Sequence, residues 1–207
     1  MKQLFLCSYF AGVKDLFRQY ASEKQLGKQV LFIPTAGNVE EYRGYIDEAL
    51  QSFADLGFQV EVLDISACDS ETAQAKIFQS KLLYVSGGNT FYLLQELKKK
   101  QLLSLIKEQI ADGMIYVGES AGAVITAEDM DYIRLMDDKE VVGELSDTVA
   151  LKEADFYLLP HVGEEPFAES AQAILDTYGD KLNLLPLNNR QAVLVEDEKV
   201  KVLVENK

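Results

Sequence analysis

Positive charge is scarce in this chain: 20 Lys and Arg stand against 34 Asp and Glu, leaving a formal net charge of -14 and a pI near 4.5. The resulting negative field repels phosphate backbones and anionic lipid surfaces, which argues against nucleic-acid and membrane partners. The acidic residues are scattered rather than run together, so they read as a solubilising surface and not as an interaction tail. Cysteine occurs only at Cys7 and Cys68. The two lie in different predicted elements without the spacing of a metal site or redox pair, so buried thiols are expected. Long apolar runs are missing as well. The stretch from Met1 to Phe10 is too short for a signal-peptide core or a membrane span, and a cytoplasmic protein with reduced cysteines is expected. No repeat, low-complexity tract or linker divides the 207 residues. One domain over 1–207 follows, long enough to bury a core without staples.

Short apolar runs alternate instead with helical patterns, the signature of an α/β domain built on a mostly parallel sheet. Residues 4–8, 30–34, 59–63, 82–86 and 114–118 are rich in Leu, Ile, Val, Phe or Tyr, and each run stops at a turn or polar residue; these five predict the central sheet. Between them, residues 13–26, 41–56, 70–79 and 91–110 carry apolar side chains three and four apart, as helices covering a sheet require. The last of these should break near Lys100. Beyond Gly122 strands are predicted over 132–136, 156–159, 184–187, 192–196 and 200–204, with a helix over 168–178. The final two strands, split by Asp197 and Glu198, resemble an antiparallel hairpin.

The sequence Gly118-Glu-Ser120-Ala-Gly122 follows the Met-Ile-Tyr-Val run and precedes Ala123-Val-Ile, the strand-to-helix form of a nucleophile elbow. A serine on so sharp a turn needs small neighbours for the backbone to bend, and the helix behind it points free amides at the oxygen. The bland alternative is a Gly-flanked turn whose serine caps the helix. Its place at the carboxyl end of a central strand, where open α/β sheets bind ligands, favours the functional reading. A serine hydroxyl needs a base to take its proton. His161 is the single histidine of the chain, so the choice is forced, and it too stands where a strand gives way to a loop.

An acid should orient the imidazole, and in the order serine, acid, histidine it falls between Ser120 and His161. Glu128, Asp129, Asp131, Asp137, Asp138, Glu140, Glu144, Asp147, Glu153 and Asp155 all qualify by position. Asp137 and Asp138 are favoured, because the end of a predicted strand holds a side chain more firmly than a mid-loop position. Ser86-Gly-Gly-Asn-Thr90 closes another central strand, and its backbone amides could line the same sheet edge as an oxyanion hole. A helix start capped by Asn89 or Thr90 explains that segment equally well.

Taken together, Ser86-Gly-Gly-Asn-Thr-Phe91, Gly118-Glu-Ser-Ala-Gly-Ala123 and Pro160-His161 resemble the aspartyl dipeptidase (dipeptidase E) and cyanophycinase family of serine peptidases. The resemblance runs nearly end to end and includes Ile33-Pro-Thr-Ala36 and Pro186-Leu-Asn-Asn189. It implies a three-layer α/β/α fold of the class I glutamine amidotransferase type and a Ser–His–acid triad without metal or organic cofactor. By matching residues the nucleophile is Ser120, the base His161, and the oxyanion donors are the amides of Gly88 and Ala121 with Asn89 beside them. Ile133-Arg-Leu-Met-Asp-Asp138 matches the stretch that carries the family's acid, which selects Asp138. Two motif positions depart from the family: Ser86 replaces a glycine, and Glu119 replaces a bulky aromatic. The arginines that hold the substrate aspartate in aspartyl dipeptidases are missing after His161, where the chain reads Val162-Gly-Glu-Glu-Pro-Phe-Ala-Glu-Ser170. The expected activity is therefore hydrolysis of peptides or small amides, with specificity for an N-terminal Asp not carried over. An esterase or amidase using the same residues, and a ligand-binding protein that kept the fold, are the rival readings.

Overall fold

The computed structural model describes residues 1–143 and 145–205. The five expected strands form as β1 (Gln3–Cys7), β2 (Gln29–Ile33), β3 (Gln59–Val62), β4 (Leu82–Val85) and β5 (Ile115–Glu119). They pair in parallel, and the hairpin of β8 (Gln191–Glu196) and β9 (Lys199–Val204) extends them antiparallel from β1, giving the order β3-β2-β4-β5-β1-β8-β9. Two further strands, β6 (Tyr157–Leu159) and β7 (Leu184–Pro186), pair in parallel as a separate small sheet.

The strands read as continuous apolar runs because both faces of the sheet are covered. Along β1, Leu4 and Leu6 enter one buried cluster, whereas Phe5 and Cys7 enter the other. Side chains on a strand alternate between faces, so one short run serves two cores. The second cluster packs aromatic rings under α1 (Lys14–Glu23) and α2 (Gly44–Asp55): Phe10 stacks on Phe53 at 4.6 Å and Phe32 on Tyr84 at 4.5 Å. The first lies under α3 (Ser70–Gln79), α4 (Thr90–Lys99) and α5 (Leu102–Ala111). The break expected near Lys100 falls between α4 and α5, where Gln101 takes a left-handed conformation. The architecture is the expected α/β fold with a mostly parallel central sheet and flanking helices.

One predicted strand is not a strand. Residues Asp131–Leu135 form a 3-10 helix. Tyr132 and Ile133 are both buried and Arg134 and Leu135 both exposed, so the burial lacks the period of two that a strand needs. The turn is started by Asp129, whose carboxylate accepts the Asp131 N–H at 2.8 Å, a local bond that competes with extended structure. Among the described residues no helix is long and apolar enough to cross a membrane.

Candidate active site

Parallel pairing brings the carboxyl ends of β1, β2, β4 and β5 to one edge of the sheet, and the candidate residues gather there. Ser120 immediately follows β5 and precedes the short helix α6 (Ala121–Val124). Its backbone sits at φ 46°, ψ -108°, a region that side chains avoid and that costs roughly 1–3 kcal/mol. Bonds on either side hold it: the Ser120 N–H donates to Cys7 O at 2.9 Å, and the Ser120 carbonyl accepts the amides of Ala123 and Val124 at 2.8 Å. Gly122 is required for closeness. A Cβ there would lie 2.2 Å from the carbonyl oxygen of Val85, so no larger residue lets the elbow seat against β4.

His161 lies in the loop after β6, also with positive φ, at 59°. Its Nε2 is 3.0 Å from Ser120 Oγ. The buried hydroxyl of Ser8, at the end of β1, fixes the loop by accepting the His161 N–H at 3.2 Å and donating to Leu187 O at 3.1 Å. The Phe167 ring stacks on the imidazole at 4.7 Å. Burial pushes the imidazole pKa below its ordinary value. An amide contact from Asn189 and the nearby charge of Glu164 oppose that shift without cancelling it.

The partner of the second ring nitrogen differs from the sequence expectation. His161 Nδ1 lies 2.7 Å from Asn189 Oδ1. An amide oxygen only accepts, so Nδ1 carries the proton and Nε2 presents its lone pair to the serine. Asp138 is elsewhere: its carboxylate accepts the Glu140 N–H at 2.8 Å, and its carbonyl accepts Asn89 Nδ2 at 2.8 Å. Asp137 accepts the Thr90 N–H at 2.8 Å, Asp131 pairs with Arg134 at 3.2 Å, and Asp129 binds Thr148. Glu144 lies outside the described residues. The partner of Nδ1 follows His161 in the chain instead of lying between Ser120 and His161. The available signal was Asn188-Asn189 closing the run before β8, a polar pair at the same sheet edge.

Ala121 follows the serine directly, and Gly88 follows Gly87, where a Cβ would lie 3.3 Å from Ser120 Cβ. Gly88 has φ 128°, and a Cβ there would strike the Ala36 carbonyl carbon and oxygen and the Gly37 nitrogen at 2.3–2.5 Å, so only glycine fits against the loop after β2. Among the described residues neither the Gly88 nor the Ala121 N–H donates to an acceptor in the protein. Asn89, grouped with them on sequence grounds, caps α4 instead. Its Oδ1 accepts the Tyr92 N–H at 2.9 Å, and its Nδ2 is spent on Asp138 O.

Arg134 pairs with Asp131 and Arg190 donates to Glu205 O at 3.3 Å, while Arg43 is exposed, with its Nε 3.7 Å from where a Cβ on Gly37 would lie. The first charged side chain after His161 is Glu164, which accepts the Asn189 N–H at 3.3 Å.

The model of peptidase family S51 matches residues 6–203. The uncharacterized peptidase PM1590 of Pasteurella multocida (strain Pm70) is 45% identical over 198 residues, covering 96% of this chain and 95% of its own length. The uncharacterized peptidase Lmo0363 of Listeria monocytogenes is 42% identical over 200 residues, 97% of each chain. A crystal structure of a peptidase E-type protein from Listeria monocytogenes EGD-e superposes with a TM-score of 0.93 at 39% identity over 100% of both chains. With a match from β1 to β9 and a serine–histidine pair at the sheet edge, this chain belongs to peptidase family S51 and is a serine-type peptidase.

Proposed function

We propose that Ser120 is the nucleophile of this peptidase, His161 its general base and Asn189 the group that holds the imidazole. The observation that carries the reading is the 3.0 Å contact of Ser120 Oγ with His161 Nε2, beside two amides left without acceptors. His161 Nε2 takes the hydroxyl proton as Oγ attacks the scissile carbonyl, then returns it to the leaving amine; water repeats the sequence to release the acyl group. The N–H groups of Gly88 and Ala121 stabilise the oxyanion, a role preorganised donors commonly fill at low cost of rearrangement. Asn189 replaces the expected acid. It fixes the tautomer but brings no charge to stabilise the imidazolium, the arrangement of Cys–His–Asn proteases transferred to serine.

The substrates are short peptides, and an N-terminal aspartate is not preferred, because Glu164 rather than a cation stands behind the imidazole. Residues 1–207 act as one catalytic domain in the cytoplasm, in keeping with the free thiols Cys7 and Cys68. Fluorophosphonate labelling followed by peptide mapping tests the nucleophile without a known substrate: the label is expected on Ser120 and lost in His161→Ala. Labelling elsewhere overturns the assignment. A panel of matched dipeptides and esters separates peptidase from esterase.

A further inference from the structure

The residue before the nucleophile carries a carboxylate that the chemistry above does not use. Glu119 ends β5 and is 1% exposed, a costly place for a charge unless donors surround it. Three do. The Phe10 N–H donates to Oε1 at 2.7 Å; the Tyr84 hydroxyl and the Gly87 N–H donate to Oε2 at 2.6 and 3.3 Å. Burial pushes the Glu119 pKa up, and these three donors pull against that rise. Phe10 and Gly87 offer backbone N–H groups that can only donate, so the set suits an ionised carboxylate, which only accepts.

The placement of the three donors gives the carboxylate a role. Phe10 follows β1, Tyr84 lies on β4, and Gly87 is the residue before Gly88. Gly87 is also close enough to the elbow that a Cβ on it would lie 3.3 Å from Ser120 Cβ. One of the two free amides, that of Gly88, belongs to the loop after β4; the other, that of Ala121, belongs to the elbow after β5. Glu119 joins these two segments directly: its main chain leads into Ser120, and its side chain holds the peptide next to Gly88. We infer that Glu119 is a positioning residue that sets the separation of the two halves of the oxyanion hole, through its hydrogen bond to Gly87. The inference rests on the proposed roles of Ser120, Gly88 and Ala121.

Glu119→Gln keeps the volume of the side chain, but an amide presents one donor where the carboxylate presents only acceptors. One of the two backbone N–H groups then faces the amide NH2: turned to Gly87 it opens the clamp directly, and turned to Phe10 it breaks the bond that holds the side chain in place. The hole is used when negative charge develops on the carbonyl oxygen, so kcat should fall by about 10–100-fold while KM changes by less than about threefold. Affinity for a peptide boronic acid, whose adduct places an oxygen in the hole, should fall in parallel with kcat/KM. A merely structural carboxylate lowers the melting temperature without this split. A folded Glu119→Gln enzyme with wild-type kcat and boronate affinity overturns the inference. Should that variant not fold, Tyr84→Phe removes one of the three donors from the same oxygen that holds Gly87. It is expected to lower kcat several-fold with KM unchanged, and a wild-type kcat in Tyr84→Phe also overturns the inference. The wild-type arm separates the two levels of argument: wild-type protein that is not phosphonylated at Ser120 defeats the proposed mechanism itself, whereas active wild type with unaffected Glu119 and Tyr84 variants defeats only the role of Glu119.

Discussion

The imidazole of His161 is held on one side by Ser120 and on the other by the uncharged side chain of Asn189, 2.7 Å from Nδ1. Removing that amide in Asn189→Ala frees the ring to turn and change tautomer, and kcat is expected to fall by about 10–1000-fold. Asn189→Asp should retain more activity than Asn189→Ala. The added carboxylate favours the imidazolium, so the acid limb of its kcat/KM profile moves to higher pH. Wild-type turnover in Asn189→Ala eliminates the amide from the mechanism.

Ser120→Ala and His161→Ala should each abolish most hydrolysis, by several orders of magnitude, with the double variant little worse than either single one, because members of such a unit act together. Steady-state rates on one dipeptide suffice to check this. Substantial activity in His161→Ala removes His161 as the base, since the chain holds no second imidazole.

Burial lowers the His161 pKa, so the neutral base persists at pH values where an ordinary histidine is mostly charged. The acid limb of kcat/KM should have its midpoint below about 6.5, the unperturbed value. Glu164→Gln takes away a nearby negative charge that supports the imidazolium, and should move the midpoint lower still. A midpoint above 7 in wild type contradicts the burial seen here.

Asp137 shapes stability rather than turnover. Its pKa is raised from 3.8 to about 6, chiefly by burial. The native protein therefore holds a proton that the unfolded chain releases. This contribution is complete below about pH 4 and lost as pH rises through 6, on the order of 3 kcal/mol. Asp137→Asn cannot ionise, yet its amide oxygen still accepts the Thr90 N–H. Urea unfolding at pH 5 and pH 7.5 should show a smaller pH dependence in this variant than in wild type; equal dependence in both refutes the assignment.

Among Asp-Leu, Ala-Leu and Lys-Leu, the aspartyl dipeptide is expected to be the poorest substrate. Glu164 lies beside Asn189, and Arg134 and Arg190 are engaged elsewhere. An acidic side chain would meet repulsion where the family's aspartyl dipeptidases supply arginine. A clear preference for Asp-Leu would mean that Arg43, exposed on the loop before α2, reaches the substrate.

Much of this arrangement could be read from the residues. The five parallel strands announce themselves because burial on both faces leaves uninterrupted apolar runs, and Gly118 and Gly122 mark the elbow because backbone closeness at those two positions admits nothing larger. Asn189 was hidden for a different reason. Its position beside His161 depends on β8 pairing with β1, with Cys7 opposite Ala192, and on Ser8 tying the two loops together. Such contacts join segments far apart in sequence and leave no local pattern. The stretch before Asp137 and Asp138 is turned by Asp129 into a 3-10 helix instead of a strand, so no rigid strand end holds either carboxylate, and the resemblance that selects Asp138 carries no information on where its side chain goes. Glu119 stood out as an oddity of the motif, but its donors come from Phe10, Tyr84 and Gly87, which only the packed sheet brings together.

The order in which the sheet receives its strands bears on how the enzyme is made. Ser120 follows β5, which is flanked by β4 and β1, so the elbow can form once the first part of the chain has been synthesised. His161 and Asn189 come later, and the loop carrying Asn189 is anchored by a strand near the end of the sequence, on the far side of β1. A nascent or truncated chain lacking β8 holds a serine without a fixed base. On the proposed roles, peptide hydrolysis is therefore expected to arise only once β8 has paired with β1.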